Sequence, residues 1–165
     1  MGQGIMTRDL LRSDVPVLRR LLEQTEAFYR MEVDVALELM EEYLMKGRDS
    51  GYRFLVAADG GSPAGYACFG PTPMTQGTFD LYWIAVDPSV QRRGVGRVLL
   101  DACEEAVRHE GGRLIVLETS SRPPYEQARN FYAKNAYDLV ATVRDFYSPG
   151  DHKLMYAKYL TTEVS

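Results

Sequence analysis

The residues best placed to do chemistry lie in QRRGVG at positions 91–96, between a strand-like and a helix-like stretch. Glycines there let backbone N–H groups come close to a ligand, and a helix starting at such a turn adds partial positive charge. Arg92, Arg93 and Arg97 supply a cationic cluster beside them. Glycine turn, helix start and guanidinium groups together suit a pyrophosphate. A Walker A loop, GxxxxGK[ST], is absent. A dinucleotide fingerprint, GxGxxG, fits Gly94 and Gly96 but meets Leu99 at its third glycine. Glu118 does stand near where a ribose-binding acid would lie, yet only one βα repeat is evident, which argues against that architecture. The plain alternative is a glycine-started helix with solvated arginines.

Such a local cluster is needed because the chain as a whole repels anions. Its 165 residues carry 19 basic and 23 acidic side chains, a net charge of -4. Nucleic acid and anionic membrane are therefore not expected as partners. The length suits one domain spanning 1–165, as typical domains hold roughly 100–200 residues. At 45% hydrophobic and 25% charged residues, the chain should bury a core without a disulfide or metal staple. Cys68 and Cys103 show no CxxC or Cys/His spacing, so no metal site is expected and the expected setting is a reducing cytoplasm. No run approaches the roughly 18 apolar residues of a membrane helix, and the start carries no signal-peptide pattern.

The elements that must position the turn can be read in order. A short strand over Gly4–Arg8 precedes a helix capped at Ser13, with an apolar stripe from Val17 to Phe28. A second helix begins near Asp34 and stops at Gly47. YRFLVAAD and AGYACFG read as two strands, and TFDLYWIAVDP as a third that ends at Pro88. The next helix carries Val95, Val98, Leu99, Ala102, Cys103, Ala106 and Val107, and Gly111 and Gly112 end it. Leu114 to Leu117 is then a strand buried on both faces, which makes this a βαβ unit with parallel strands. A helix over Pro124–Asn135 follows, and two antiparallel strands, Tyr137–Arg144 and Lys153–Leu160, close the chain. The expected fold class is mixed α/β: about seven strands, a parallel pair in the middle, and about four flanking helices.

AVDPSVQRRGVGRVLLDACEEA resembles the acyl-CoA-binding motif of the GNAT superfamily of N-acetyltransferases, [Q/R]xxGx[G/A] after the fourth strand. Gln91, Gly94 and Gly96 match its three fixed positions. YEQARNFYAKNAYDL resembles the superfamily's second motif, a helix carrying an Asn and an FY pair. The order of elements matches too, so the resemblance covers essentially the whole chain. One departure is Ala136, where the family often has Gly; Asn135, which tolerates a left-handed backbone, could end the helix instead.

The resemblance implies a fold, a co-substrate and an activity: transfer of the acetyl group of acetyl-CoA to a primary amine by direct attack. A non-catalytic acyl-CoA sensor of the same fold is the competing reading. Thioester aminolysis needs an amine stripped of its proton, a stabilised oxyanion and a protonated or solvated thiolate. By resemblance, backbone amides near Ile84, Ala85 and Val86 hold the pantetheine, and those of Gln91, Arg92, Arg93, Gly94, Val95, Gly96 and Arg97 take the pyrophosphate. Asn130 supports the cofactor by a hydrogen bond. Tyr132, of the FY pair, is the candidate general acid, since a phenol of pKa near 10 is protonated at neutral pH. Asp80 and Glu118 are the candidate bases; each is equally readable as an acceptor-binding or solvated charge. Asp80 is expected on one strand face with Tyr82, Ile84 and Val86. Cys103 falls on the apolar helix stripe, which disfavours a covalent cysteine route, and His109 and His152 read as structural and loop histidines.

The acceptor, an amine-bearing small molecule or a protein amine, is expected near the first two helices. Glu23, Glu26, Glu32, Asp34, Glu38, Glu41 and Glu42, with Phe28, Tyr29 and Met31 between them, suggest an acidic, aromatic-edged mouth for a cationic amine, or solvated helix faces. Phe146, Tyr147, Tyr156 and Tyr159 suggest a possible homodimer edge.

Overall fold

A computed structural model of the chain describes residues 4–25, 30–90 and 93–160. The elements are β1 (Met6–Asp9), α1 (Val15–Gln24), α2 (Arg30–Lys46), β2 (Arg53–Asp59), β3 (Ser62–Pro71), β4 (Thr78–Val86), α3 (Val95–His109), β5 (Leu114–Ser120), α4 (Glu126–Lys134), β6 (Asp138–Ser148) and β7 (Asp151–Tyr159). The strands form one sheet in the order β1-β2-β3-β4-β5-β7-β6. Every neighbouring pair is antiparallel except β4 and β5. The mixed sheet, its parallel pair and its four helices agree with the expected fold class.

Two apolar layers hold the sheet between the helices. On one face Leu99, Cys103 and Val107 of α3 and Tyr132 of α4 pack on Phe79, Leu81, Ile115 and Leu117. On the other, Leu18, Leu22 and Met40 of α1 and α2 cover Phe54, Val56, Tyr66, Cys68 and Ala85. Burying a large apolar side chain contributes about 1.5–3 kcal/mol, so the layers pin the sheet from both sides. Polar contacts tie the periphery. Asp14 accepts bonds from both Arg8 guanidinium nitrogens at 2.7 and 2.8 Å and from the Leu11 N–H at 2.8 Å. Arg53 clamps Glu110, just past α3, at 2.9 Å.

Several boundaries differ from the sequence expectation, each for a local reason. Asp14, not Ser13, holds the N-cap position of the first helix, without a side-chain cap bond, because a 3-10 turn over Arg12–Asp14 precedes it. α1 stops at Gln24, where the Thr25 hydroxyl bonds back to the Leu21 carbonyl at 2.9 Å; Phe28 lies outside the described residues. α2 begins at Arg30, a turn before Asp34, and ends as expected at Gly47, with φ +59°. After α4 the left-handed residue is Ala136, at φ +66°; Asn135 keeps φ -100° and donates its side-chain amide to the Phe131 carbonyl at 2.7 Å. Tyr156 is buried in the core, while Phe146, Tyr147 and Tyr159 are exposed. No described helix is long and apolar enough to cross a membrane.

One irregularity in β4 reorganises its faces. Cys68 pairs with Trp83 and Phe69 with Leu81, which leaves Tyr82 as an extra, bulged residue. A one-residue shift moves every later side chain to the other face. Phe79 and Leu81 pack on the α3 side, and beyond the bulge Ile84 and Val86 do so, while Trp83 and Ala85 turn to the α1–α2 side. Asp80 and Tyr82 therefore do not share a face with Ile84 and Val86, contrary to the simple alternation expected.

Candidate active site

The site begins where two parallel strands part. β5 pairs with β4 only from Thr78 to Asp80, opposite Leu114 to Val116. Past Asp80 the strands diverge, and β5 keeps only β7, on its other edge, as a partner through Ser120. On its other side β4 stays joined to β3. The Asp87 N–H donates to the Ala64 carbonyl at 2.8 Å, so by strand alternation the polar groups of Ala85 face β3 while those of Ile84 and Val86 face the gap. Ile84 and Val86 thus present N–H and C=O groups with no strand partner there. A buried backbone group must find a partner, and an extended ligand with amides of its own would supply one.

A cavity of about 650 Å³ opens in this gap. Its lining comes from both sides of the sheet: Ile84, Leu117, Ala128 and Tyr132 on the α3–α4 side, and Met31, Val35, Tyr82 and Trp83 on the α2 side. The opening thus passes through the sheet, which gives two reactants separate approaches to one point. Gaps where parallel strands diverge are common ligand sites in α/β sheets.

The glycine turn lies at the end of the same strand. Gly94 takes φ +80° at the N-terminus of α3, a backbone that an L-side chain adopts at a cost. With no side chain to cap the helix, the N–H groups of Val95, Gly96 and Arg97 have no intrahelical acceptor. They stand at the positive end of a fifteen-residue helix, an arrangement suited to an anion. The Arg93 N–H is engaged by the Val90 carbonyl at 3.3 Å. The Arg93 guanidinium pairs with Asp59 at 2.9 Å and Arg97 with Asp101 at 3.0 Å, both at exposed positions. Exposed pairs of this kind are worth at most about 1 kcal/mol, so a polyphosphate can displace the carboxylates. Gln91 and Arg92 lie outside the described residues. Asn130 is exposed on α4.

Tyr132 is buried on α4 and lines the cavity. Its ring meets Phe131 and Tyr137 edge-on, at centroid distances of 5.4 and 5.8 Å. Tyr137 is itself fixed, donating its hydroxyl to Glu104 at 3.1 Å, and Lys158 meets the same carboxylate oxygen at 2.7 Å. Burial, and secondarily the Cys103 thiol, pushes the Tyr132 phenol well above its ordinary value, so it carries its proton at neutral pH.

The structure separates the two carboxylates. Glu118 lines the cavity and is paired with Lys153 at 2.9 Å; that lysine also sits over the Phe146 ring, 4.4 Å from its centroid. Asp80 lies on the part of β4 still paired with β5, does not line the cavity, and accepts a bond from the Thr72 hydroxyl at 2.9 Å. The acidic helix face also divides. Glu32 and Met31 line the cavity, whereas Asp34, Glu38, Glu41 and Glu42 line a separate open groove beside Arg19 and Lys46. Glu26, Phe28 and Tyr29 lie outside the described residues. Burial raises the Glu32 carboxyl, with the Tyr125 hydroxyl, 3.5 Å away, opposing it.

Tyr125 and Tyr147 also line the cavity and were not singled out there by the sequence. Tyr147 was visible only as a tail aromatic. Tyr125 carries no local signal, since it meets Glu32 from 93 positions away. Both cysteines are buried, and burial pushes their thiols well up, so neither is a ready nucleophile. His109 ends α3, and His152 accepts the Asp145 N–H on Nδ1 at 2.9 Å in the β6–β7 turn.

Comparison with known proteins places this geometry among relatives. Residues 17–137 match the model of the Acetyltransferase (GNAT) family. Among solved structures the chain is similar to one from Desulfovibrio desulfuricans assigned to the GNAT family of acetyltransferases, with 43% identity and a TM-score of 0.92, covering 96% of this chain and 100% of that one. It is also similar to the ribosomal-protein-S18-alanine N-acetyltransferase of Escherichia coli, at 20% identity, TM-score 0.75, 98% and 99% coverage. The PaiA N-acetyltransferase of Thermoplasma acidophilum, solved in complex with coenzyme A, is similar at 15% identity, TM-score 0.77, 96% and 100% coverage. These last two likenesses speak to the fold. A search of curated proteins returns no significant match.

Proposed function

The chain belongs to the GNAT acetyltransferase family, and from that premise we propose that it moves the acetyl group of acetyl-CoA to a primary amine by direct attack, with no acyl-enzyme. The observation that carries this reading is the gap between β4 and β5, bordered by the free backbone edge of Ile84 and Val86 and lined by Tyr132. Acetyl-CoA supplies an activated thioester. The N–H groups of Val95, Gly96 and Arg97, with Arg93 and Arg97, hold its pyrophosphate. Ile84 and Val86 take the pantetheine amides as an added strand would, which sets the thioester in the gap. Ala85 serves β3 instead.

Tyr132 gives its proton to the departing sulfur. The phenol is protonated at neutral pH, and although burial makes it a weaker acid, the negative charge developing on the adjacent sulfur draws the proton across. The amine arrives from the α2 side and loses its proton to a water held by Glu118, the candidate base that lines the cavity. The buried, protonated thiols of Cys68 and Cys103 leave no cysteine nucleophile for a covalent detour. The test is release of free CoA thiol from acetyl-CoA with a panel of amines. Acceptor-dependent release is expected. Tight acetyl-CoA binding without it contradicts the transfer reading and favours a sensor.

A further inference from the structure

A buried carboxylate lies in the apolar stripe of α3, outside the cavity and without a part in the proposed transfer. Glu104 shares a helix face with Leu100, Cys103 and Val107, all of them buried. Its Oε1 accepts a bond from the Lys158 ammonium of β7 at 2.7 Å and from the Tyr137 hydroxyl at 3.1 Å. Lys158 also stands 5.5 Å from the centre of the Tyr137 ring. A buried ion pair adds little stability over apolar side chains of the same size, and its best-attested service is to fix one arrangement of the parts it joins. Here the parts are α3, β7 and the turn after α4, and Tyr137 is the ring held between them.

Tyr137 in turn bears on Tyr132. The left-handed Ala136 folds the chain back after α4, so that the Tyr137 N–H donates to the Tyr132 carbonyl at 3.0 Å and the two rings meet edge-on at 5.8 Å. The Tyr132 hydroxyl has no hydrogen-bond partner among the described residues, so its position is set by what its ring touches. Phe131, the other ring it meets, lies against Gly96 by packing alone, whereas Tyr137 is tied by a hydrogen bond. We propose that Glu104, with Lys158, positions Tyr132 for proton donation by holding the Tyr137 ring on which Tyr132 leans. The proposal rests on the acetyl-transfer reading above and sets positioning residues behind its proton donor; Glu104, Tyr137 and Lys158 do not line the cavity. A displacement of about 1 Å at a reacting group can cost up to about 10²-fold in rate, so a tethered ring has consequences there.

The experiment joins a double-mutant cycle to a spectrum. Tyr137→Phe removes the bond to Glu104 and keeps both the ring and the Glu104–Lys158 pair. Single-turnover transfer to a saturating amine is expected to slow about tenfold, with an unchanged acetyl-CoA Kd showing the fold intact. In a Tyr132→Phe background the same substitution is expected to change the rate by no more than about twofold, because the hydroxyl it positions is gone. A general loss of packing would cost the same in both backgrounds. Fluorine NMR of meta-fluorotyrosine placed at position 132 reads the setting of that ring without turnover. There Tyr137→Phe is expected to broaden or split the resonance as the ring gains a second setting. A rate within about twofold of the wild type's, an equal loss in both backgrounds, or a single fluorine line of unchanged width overturns the proposal. If no amine releases CoA, the transfer reading fails by itself, and the fluorine line still decides whether the Glu104 tether sets the Tyr132 ring.

Discussion

The two candidate bases, Glu118 and Asp80, are separated by what surrounds each. Glu118 sits in the cavity wall with Lys153, whereas Asp80 stays under the paired part of the sheet with Thr72. Replacing Glu118 with Gln is therefore expected to lower kcat by about 10²-fold, at the low end of general-base effects, while Asp80→Asn leaves kcat within a few-fold. Steady-state rates with a saturating amine check this; equal losses for the two variants contradict the assignment. Tyr132 was singled out through its motif, and it lines the cavity. Glu32 was legible only as one acid among seven, since no local pattern distinguishes the turn of α2 that faces the gap from the turns that face the open groove.

Elements carry the features that sequence reading reaches least well. The α3 stripe and its glycine start were legible because helix periodicity and a positive-φ glycine are local properties. The bulge at Tyr82 was not, since it depends on which β3 residue lies opposite. Its effect is large: it turns Ile84 and Val86 to the α3 side and Trp83 to the acceptor side. Ala136 offers a second case. It holds a left-handed backbone at φ +66° after α4, the geometry glycine serves best, and an alanine there carries a cost of roughly 1–2 kcal/mol. Part of that gain is offset by the freer unfolded chain of glycine. Ala136→Gly should stabilise the protein by about 1 kcal/mol, read as a higher urea midpoint with unchanged slope. A lower midpoint contradicts the strain argument.

At the scale of the whole molecule, charge and topology bear on stability and function together. Burial alone would raise the Asp14 carboxyl, but Arg8 and the Leu11 N–H together hold it below the usual carboxylate range. The Arg53 hydrogen bond does the same for Glu110 against its burial. A carboxylate with a lowered folded-state pKa contributes stability that is complete above its unfolded value, near 4, and is lost as pH falls through the folded value. Unfolding free energy should thus drop below about pH 4, and Asp14→Asn should be less stable at pH 7 with a shallower acid loss. Denaturation by urea from pH 7 to pH 3 reads both; an acid loss as steep as the wild type's contradicts the assignment. The net charge of -4 is likewise compatible with the proposed polyphosphate site, because Arg93 and Arg97 stand at one helix start in exposed ion pairs.

The sheet opening joins these scales under the proposed transfer, which has a cofactor held along β4 and α3, an amine arriving past α2, and Tyr132 where they meet. The most direct test is the single-turnover rate of acetyl transfer to a saturating amine in Tyr132→Phe, with acetyl-CoA affinity measured on the same protein. Loss of the hydroxyl alone keeps the packing against Phe131 and Tyr137. The predicted result is a rate about 10²-fold lower with an unchanged acetyl-CoA Kd. A rate equal to the wild type's, with the chemical step shown to limit turnover, contradicts Tyr132 as the proton donor.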